Sequence, residues 1–236
     1  VTKLIVAVDP VAILRASRDS NEPDPVHFAL QAELAGAGGI RAHLRIDRRH
    51  ITQQDVELLN RLVKTELYLQ MSPHQDIVHL VSGIRPHNII LAAERRQEKT
   101  TDHGLDVALL AGELQGIIRN IDTRHTRIFL FVEPNLEQVK AAAKLGVTGL
   151  IINARGLQMT HNTAPVTRPF QNLRDAVKLA VKYGLEAHLA YGITIETIPL
   201  LRQIPDVAAI HIGHLLAARA LQQGVMDAVK HYLQWF

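Results

Sequence analysis

Eight short β-branched runs, each followed by a stretch of helical period, set the strongest limit on what this chain can become. The runs are Leu4–Asp9, Gly39–Arg45, Glu66–Met71, Asn88–Ala92, Arg127–Glu133, Gly149–Arg155, Glu186–Gly192 and Ala208–His214. Strands of this length separated by helices call for right-handed crossovers in a parallel sheet. Eight such units in 236 residues favour closure into a barrel over an open doubly wound sheet. The expectation is an α/β fold, a (β/α)8 TIM barrel with extra helices, forming a single domain over residues 1–236.

The punctuation between the runs agrees. Asp24 before Pro25 reads as a helix cap with proline in the first turn. Thr52 with Asp55 three residues on resembles a capping box, and Gly146 and Gly184 read as helix stops. The glycines at 36, 38 and 39 follow a helix and precede a strand, the wrong order for a dinucleotide loop. Two polar segments, Arg15–Pro23 and Glu94–Gly104, exceed ordinary loop length on the side where strands end; the second is expected to act as a site lid. Val225–Phe236 reads as an amphipathic terminal helix that closes the barrel bottom or forms a subunit contact.

Composition removes several classes. The chain has no cysteine, which excludes disulfides, thiolate metal sites and cysteine nucleophiles. No apolar stretch approaches the roughly 20 residues that span a bilayer, and no basic segment precedes the first apolar run. A soluble, cytoplasmic protein without a membrane partner is expected. The formal charge is only +3, the basic residues are scattered and aromatics make up 4%, which argues against a nucleic-acid partner. Thirteen histidines show no paired carboxylate–histidine spacing at the strand ends, so no metal site is expected; His188, His211 and His214 are read as lining the barrel.

In a barrel of this kind the chemistry stands at the C-terminal ends of the strands. The polar groups there are Asp9, His43, Arg45, Gln70, Glu94, Glu133, Asn153, Arg155, Tyr191 and His214. Arg45, Arg155, His43 and His214 make a mouth suited to an anion, and arginine's fork matches phosphate oxygens. Gly192 and Gly213 end the seventh and eighth runs, where barrels recurrently bind phosphate through backbone N–H groups and a helix N-terminus.

These residues carry a resemblance. His43-Leu44-Arg45-Ile46-Asp47-Arg48-Arg49-His50-Ile51 is very similar to the second-strand signature of the pyridoxine 5′-phosphate synthase family. Glu94–Glu98 with Gly104–Val107 resembles that family's fourth-loop signature; Leu14-Arg15, Pro23–Val26 and Ile212–His214 fit in order. The resemblance implies a vitamin B6 biosynthetic transferase that condenses 1-deoxy-D-xylulose 5-phosphate with 3-amino-2-oxopropyl phosphate. It implies a homo-oligomer, from dimer to octamer, and no cofactor. By motif, Asp9, Arg45, His50 and Thr100 would contact the deoxyxylulose phosphate. Arg18, Gly192, Gly213 and His214 would contact the amino-oxopropyl phosphate, and His43 matches a catalytic proton acceptor.

Elsewhere the chain departs from the pattern. Gln70 stands where the family has a catalytic glutamate, and Tyr191 where it has a catalytic histidine. Ala7 and Pro10 replace a first-strand Asn and His, and the sixth strand reads Ile151-Ile152-Asn153-Ala154-Arg155 in place of Glu-Leu/Ile-His-Thr-Gly. Glutamine cannot accept a proton near neutral pH, and a phenol's reference pKa is about 10 against about 6.5 for imidazole. The leading expectation is a diverged member that binds a phosphorylated small metabolite and has largely lost ring closure. A simpler reaction would use His43 as base and Tyr191 or His214 as acid. The alternatives are a working synthase with Glu94 or Glu133 as acceptor, and a non-enzymatic oligomeric or regulatory sensor of a phosphorylated ligand.

Overall fold

The computed structural model describes residues 2–18, 20–94, 103–159 and 167–236. The chain runs β1 (Lys3–Ala7), α1 (Asp9–Ala16), α2 (Pro25–Leu34), β2 (Gly39–Leu44), α3 (Gln53–Leu62), β3 (Glu66–Met71) and α4 (Gln75–Ile84). It continues through β4 (Asn88–Leu91), α5 (Val107–Arg119), β5 (Arg127–Val132), α6 (Leu136–Ala143), β6 (Gly149–Asn153), α7 (Arg155–Met159) and α8 (Arg168–Lys182). It ends with β7 (Glu186–Ala190), α9 (Ile198–Leu201), β8 (Val207–Ile212), α10 (His214–Gln223) and α11 (Val225–Leu233). The eight strands pair in chain order, all parallel, and β8 closes on β1. The fold is a (β/α)8 TIM barrel with extra helices.

Strand alternation sorts the apolar residues into two cores. Leu4, Val6, Ile40, Leu44, Leu69, Leu130 and Ile152 face outward against the helices. Ile5, Tyr68, Ile90, Phe129, Phe131 and Ile151 fill the lumen. Strands buried on both faces explain why the runs are almost continuously apolar. The N-terminal end of the lumen is polar. Lys3 Nζ lies 2.8 Å from Glu66 Oε1, and Arg127 pairs with Glu186 and lies 4.0 Å from Glu66. Above this ring His188 Nε2 is 3.5 Å from Glu186, and His188 Nδ1 is 3.0 Å from His211 Nε2. Burial drives both imidazoles below the ordinary histidine value, His211 the more strongly. Both are therefore neutral at pH 7.

The local signals work as expected. Asp24 accepts from the Val26 N–H at 2.8 Å with Pro25 in the first turn, and Thr52 and Asp55 form a reciprocal capping box. Gly146 and Gly184 take φ of +69° and +76° after their helices. Several strand-end expectations need correction: Arg155 and His214, read as ends of the sixth and eighth runs, are the first residues of α7 and α10. Asp9 is not the end of a strand but the first residue of α1, with Pro10 in that helix's first turn. Arg15 belongs to the same helix, so the first long loop begins only after Ala16. β7 stops at Ala190, because Tyr191 and Gly192 turn into positive φ. Of the expected lid only Glu94, His103 and Gly104 are described; residues 95–102 lie outside the described residues. Among the described residues, no helix is long and apolar enough to cross a membrane.

Asp55 also ties α1 to α3. Its carboxylate accepts from Arg15 Nη1 at 2.8 Å and Nη2 at 2.6 Å, and Arg15 Nη2 donates to the His50 carbonyl at 2.9 Å. Burial pushes the Asp55 carboxyl up, but the hydrogen bonds from Arg15 and Thr52 outweigh it and hold it below the usual range. A folded value below the unfolded one gives stabilisation that is complete above the unfolded pKa, near 4, and lost as pH falls through the folded value. Asp55→Asn should therefore cost about 1–2 kcal/mol at pH 7 by urea unfolding, with the gap to wild type closing on acidification. A gap that stays constant through the acid range would show that the charge of Asp55 does not carry the effect.

Candidate active site

A cavity of about 750 Å³ opens at the C-terminal end of the barrel, a volume suited to a small-molecule ligand. Asp9, His43, Arg45 and His50 line it from the β1 and β2 side, and Gln70 from β3. Tyr191, Gly192, Gly213 and His214 line it from β7, β8 and the start of α10. Arg155 lines it as well, so ten of the candidate site residues singled out from sequence share one cavity. Arg18 is exposed on the loop after α1 and is not among the lining residues, and Thr100 lies outside the described residues.

His43 is held on three sides. Its backbone N–H donates to Asp9 Oδ1 at 2.7 Å. Its ring Nε2 lies 3.0 Å from Glu94 Oε1, and Gln70 Nε2 lies 3.4 Å from its Nδ1. An amide N–H can only donate, so Gln70 occupies the lone pair on Nδ1 and leaves the ring proton on Nε2, facing Glu94. Burial raises the Glu94 carboxyl, but the His43 hydrogen bond, the Ile46 N–H at 3.1 Å and the Arg45 charge together bring it below the ordinary value. Glu94 is an anchored carboxylate.

The cationic wall is built around Arg45, 5% exposed, whose Nε donates to Asp47 Oδ1 at 3.2 Å. The hydrogen bond from Arg49, together with Arg45, holds Asp47 far below the carboxylate range despite desolvation. Burial, and then the Arg49 charge, lower His50, so its imidazole is neutral at pH 7. Glu133 is engaged elsewhere: it accepts from Asn153 Nδ2 and from the Gly104 N–H, each at 2.9 Å.

Opposite, the backbone approaches the cavity closely. Gly192 has φ +59°, and a Cβ there would lie 2.6 Å from Arg155 Cα and 2.9 Å from the Ala154 oxygen. Gly213 caps α10 without a side chain, and a Cβ would lie 3.0 Å from that of Ala7. The α10 N-terminus thus presents unshielded N–H groups to the cavity, an arrangement suited to an anion. Tyr191, with φ +64°, stacks on Phe131 at a centroid separation of 4.9 Å.

Arg41 was not singled out from the sequence, yet it lines the same cavity. It faces the lumen two residues before His43, and its Cζ lies 5.3 Å from the Tyr191 ring centroid. Period-two reading of β2 puts Gly39, Arg41 and His43 on one face, and that signal was there to be used.

The model of the pyridoxal phosphate biosynthesis protein PdxJ family matches residues 4–236. The chain belongs to the PdxJ family. Pyridoxine 5′-phosphate synthase of Syntrophotalea carbinolica is 40% identical over 95% of this chain and 94% of its own length. The synthase of Pelobacter propionicus is 38% identical over 98% and 97%, respectively. Among solved structures, KGPDC from Streptococcus mutans superposes with a TM-score of 0.67 at 12% identity, covering 99% of this chain and 96% of that one. Thiamine phosphate pyrophosphorylase from Pyrococcus furiosus gives 0.63 at 16%, covering 99% and 94%. At these identities the two structures show the shared fold alone. Membership of the PdxJ family places the chain among proteins of vitamin B6 biosynthesis.

Proposed function

We propose that this PdxJ-family barrel binds a phosphorylated small metabolite and that its ring-closing synthase activity is lost or much reduced. One observation carries the reading: both ring nitrogens of His43 are occupied, Nε2 by Glu94 and Nδ1 by the amide of Gln70. A base needs a free lone pair within reach of the proton it takes, and here an amide that cannot accept the proton onward sits on it. Tyr191 stands in place of the second proton carrier and packs against Phe131 and Arg41. By contrast, most of the residues expected to take phosphate line the one cavity, with Gly192, Gly213 and the α10 N-terminus on one side and Arg45 and His50 on the other.

A direct assay separates the readings. With 1-deoxy-D-xylulose 5-phosphate and 3-amino-2-oxopropyl phosphate, pyridoxine 5′-phosphate formation should fall at least about 10²-fold below that of the Syntrophotalea relative. Either phosphate ester alone should still raise the melting temperature. A rate equal to the relative's refutes the proposal and favours a working synthase that uses Glu94, the carboxylate already 3.0 Å from His43. Stabilisation without any turnover would fit the proposed loss of ring closure and a sensor alike. The homo-oligomeric state implied by the family has a candidate surface in exposed apolar side chains at the cavity rim, Leu14 of α1 and Leu221 of α10, 43% and 74% accessible.

A further inference from the structure

The cavity is lined by a buried charge that no described residue neutralises. Arg41 is only 8% exposed, and its Nε and Nη1 are buried without a hydrogen-bond partner among the described residues. It is in register with Ala7 on one side and Tyr68 on the other. Ile90, Ile151 and Ala190 belong to the same lumen cluster, so the described strand positions around it offer no carboxylate. The nearest acids above, Asp9 and Glu94, are both held by His43. A guanidinium stays protonated at any working pH, and one buried without a counter-charge is costly. Among the described residues its compensating contact is the Tyr191 ring face, which leaves the in-plane N–H groups available.

We propose that Arg41 is a carboxylate-binding subsite, and that the ligand of this barrel carries a carboxylate a short carbon chain away from its phosphate. The inference rests on the phosphate-ligand reading above and names the other end of the same molecule. The placement supports it. Gly213 follows Ile212, the partner of Val6, and so stands beside Ala7, the residue in register with Arg41. Gly213 and Arg41 line the same cavity, so one short ligand can meet both.

Donor count favours a carboxylate over a second phosphate. The guanidinium edge satisfies two coplanar oxygens, whereas a phosphate dianion presents a third that the apolar wall leaves without a donor. His211 does not supply one. Glu186 draws the proton of His188 to Nε2, His188 Nδ1 then accepts from His211 Nε2, and the remaining His211 Nδ1 is an acceptor. That nitrogen has no partner among the described residues, and His211 also lines the cavity. A hydroxyl on the carbon beside the carboxylate has an acceptor there, which makes a phosphorylated hydroxy acid the best-matched class.

The test uses two probes that differ only at this end, 3-phosphoglycerate and glycerol 3-phosphate, titrated calorimetrically into the full chain. Wild type should bind 3-phosphoglycerate at least about tenfold more tightly, the effect of one charge-assisted pair. Arg41→Met should bring the ratio to about one while leaving glycerol 3-phosphate affinity within about twofold. Arg41→Met should also melt no lower than wild type, since it removes an uncompensated buried charge. Arg41→Lys, which keeps the charge, should retain part of the ratio. If glycerol 3-phosphate binds and 3-phosphoglycerate binds no better, the carboxylate subsite is wrong and the phosphate site stands. If neither ester binds but malonate binds in an Arg41-dependent way, the phosphate reading fails and the subsite survives. Binding of none of the three overturns both, and a preference that persists in Arg41→Met overturns the assignment to Arg41.

Discussion

Replacing Gln70 by Glu and Tyr191 by His together should raise pyridoxine 5′-phosphate formation by about 10²–10⁴-fold over the parent chain. The geometry explains why the pair is needed. Gln70 Nε2 lies 3.4 Å from His43 Nδ1 and Glu94 Oε1 lies 3.0 Å from Nε2. A glutamate at position 70 would put carboxylates on both sides of the imidazole, and flanking negative charge favours its protonated form and so strengthens it as a base. Position 191 has φ +64°, and histidine enters that backbone region more readily than most residues, so an imidazole can take the phenol's place without redirecting the chain. Steady-state rates with both phosphate esters check the outcome. Because members of one proton-transfer set do not contribute independently, each single replacement should recover much less than the pair. No gain, or a loss, in a correctly folded double variant would show that the chain works by its own altered mechanism.

Gly192→Ala should be among the most damaging single-methyl additions available, costing about 2–4 kcal/mol of stability and at least tenfold in affinity for inorganic phosphate. Two costs coincide there. The backbone is left-handed at φ +59°, and the added carbon would sit 2.6 Å from Arg155 Cα and 2.9 Å from the Ala154 carbonyl oxygen. Both neighbours are main chain, so no side chain can swing aside. Gly146→Ala is the matched control, with a similar φ of +69° and open space around it, and should cost only about 1 kcal/mol. Urea unfolding of the two variants, with phosphate titration of each, measures both effects. Equal losses in the two would mean that the close approach at Gly192 does not matter.

The barrel was legible because its determinants are local and repeated: apolar runs of strand length, a proline in a helix's first turn at Pro25, a capping box at Thr52 and stops at Gly146 and Gly184. Where each strand ends was less so. Alternation carries Glu186–Gly192 through as one strand, whereas Tyr191 and Gly192 leave it by a pair of positive φ angles that hydrophobic pattern does not encode. Asp9 shows the opposite failure. Asp-Pro is a readable helix start, but it adjoins an apolar run and was absorbed into it. The mouth residues could be found because strand ends are where polar side chains interrupt apolar ones. Arg41 sits two residues deeper than His43 on the same strand face, and its significance depends on what surrounds it across the lumen. That is a long-range fact, absent from any short window of sequence.

The positive φ at Tyr191 has an evolutionary reading. A bulky residue in the left-handed region is uncommon, and at this point the bend belongs to the main chain. The Ala154 N–H donates to the Ala190 carbonyl at 2.9 Å on one side of it, and Gly192 is wedged against Arg155 on the other. The side chain at 191 is therefore a replaceable head on a fixed socket. A barrel built this way can exchange one reactive group for another by point substitution while its grip on the ligand's anchoring end is undisturbed, so new chemistry can be tried before old recognition is given up.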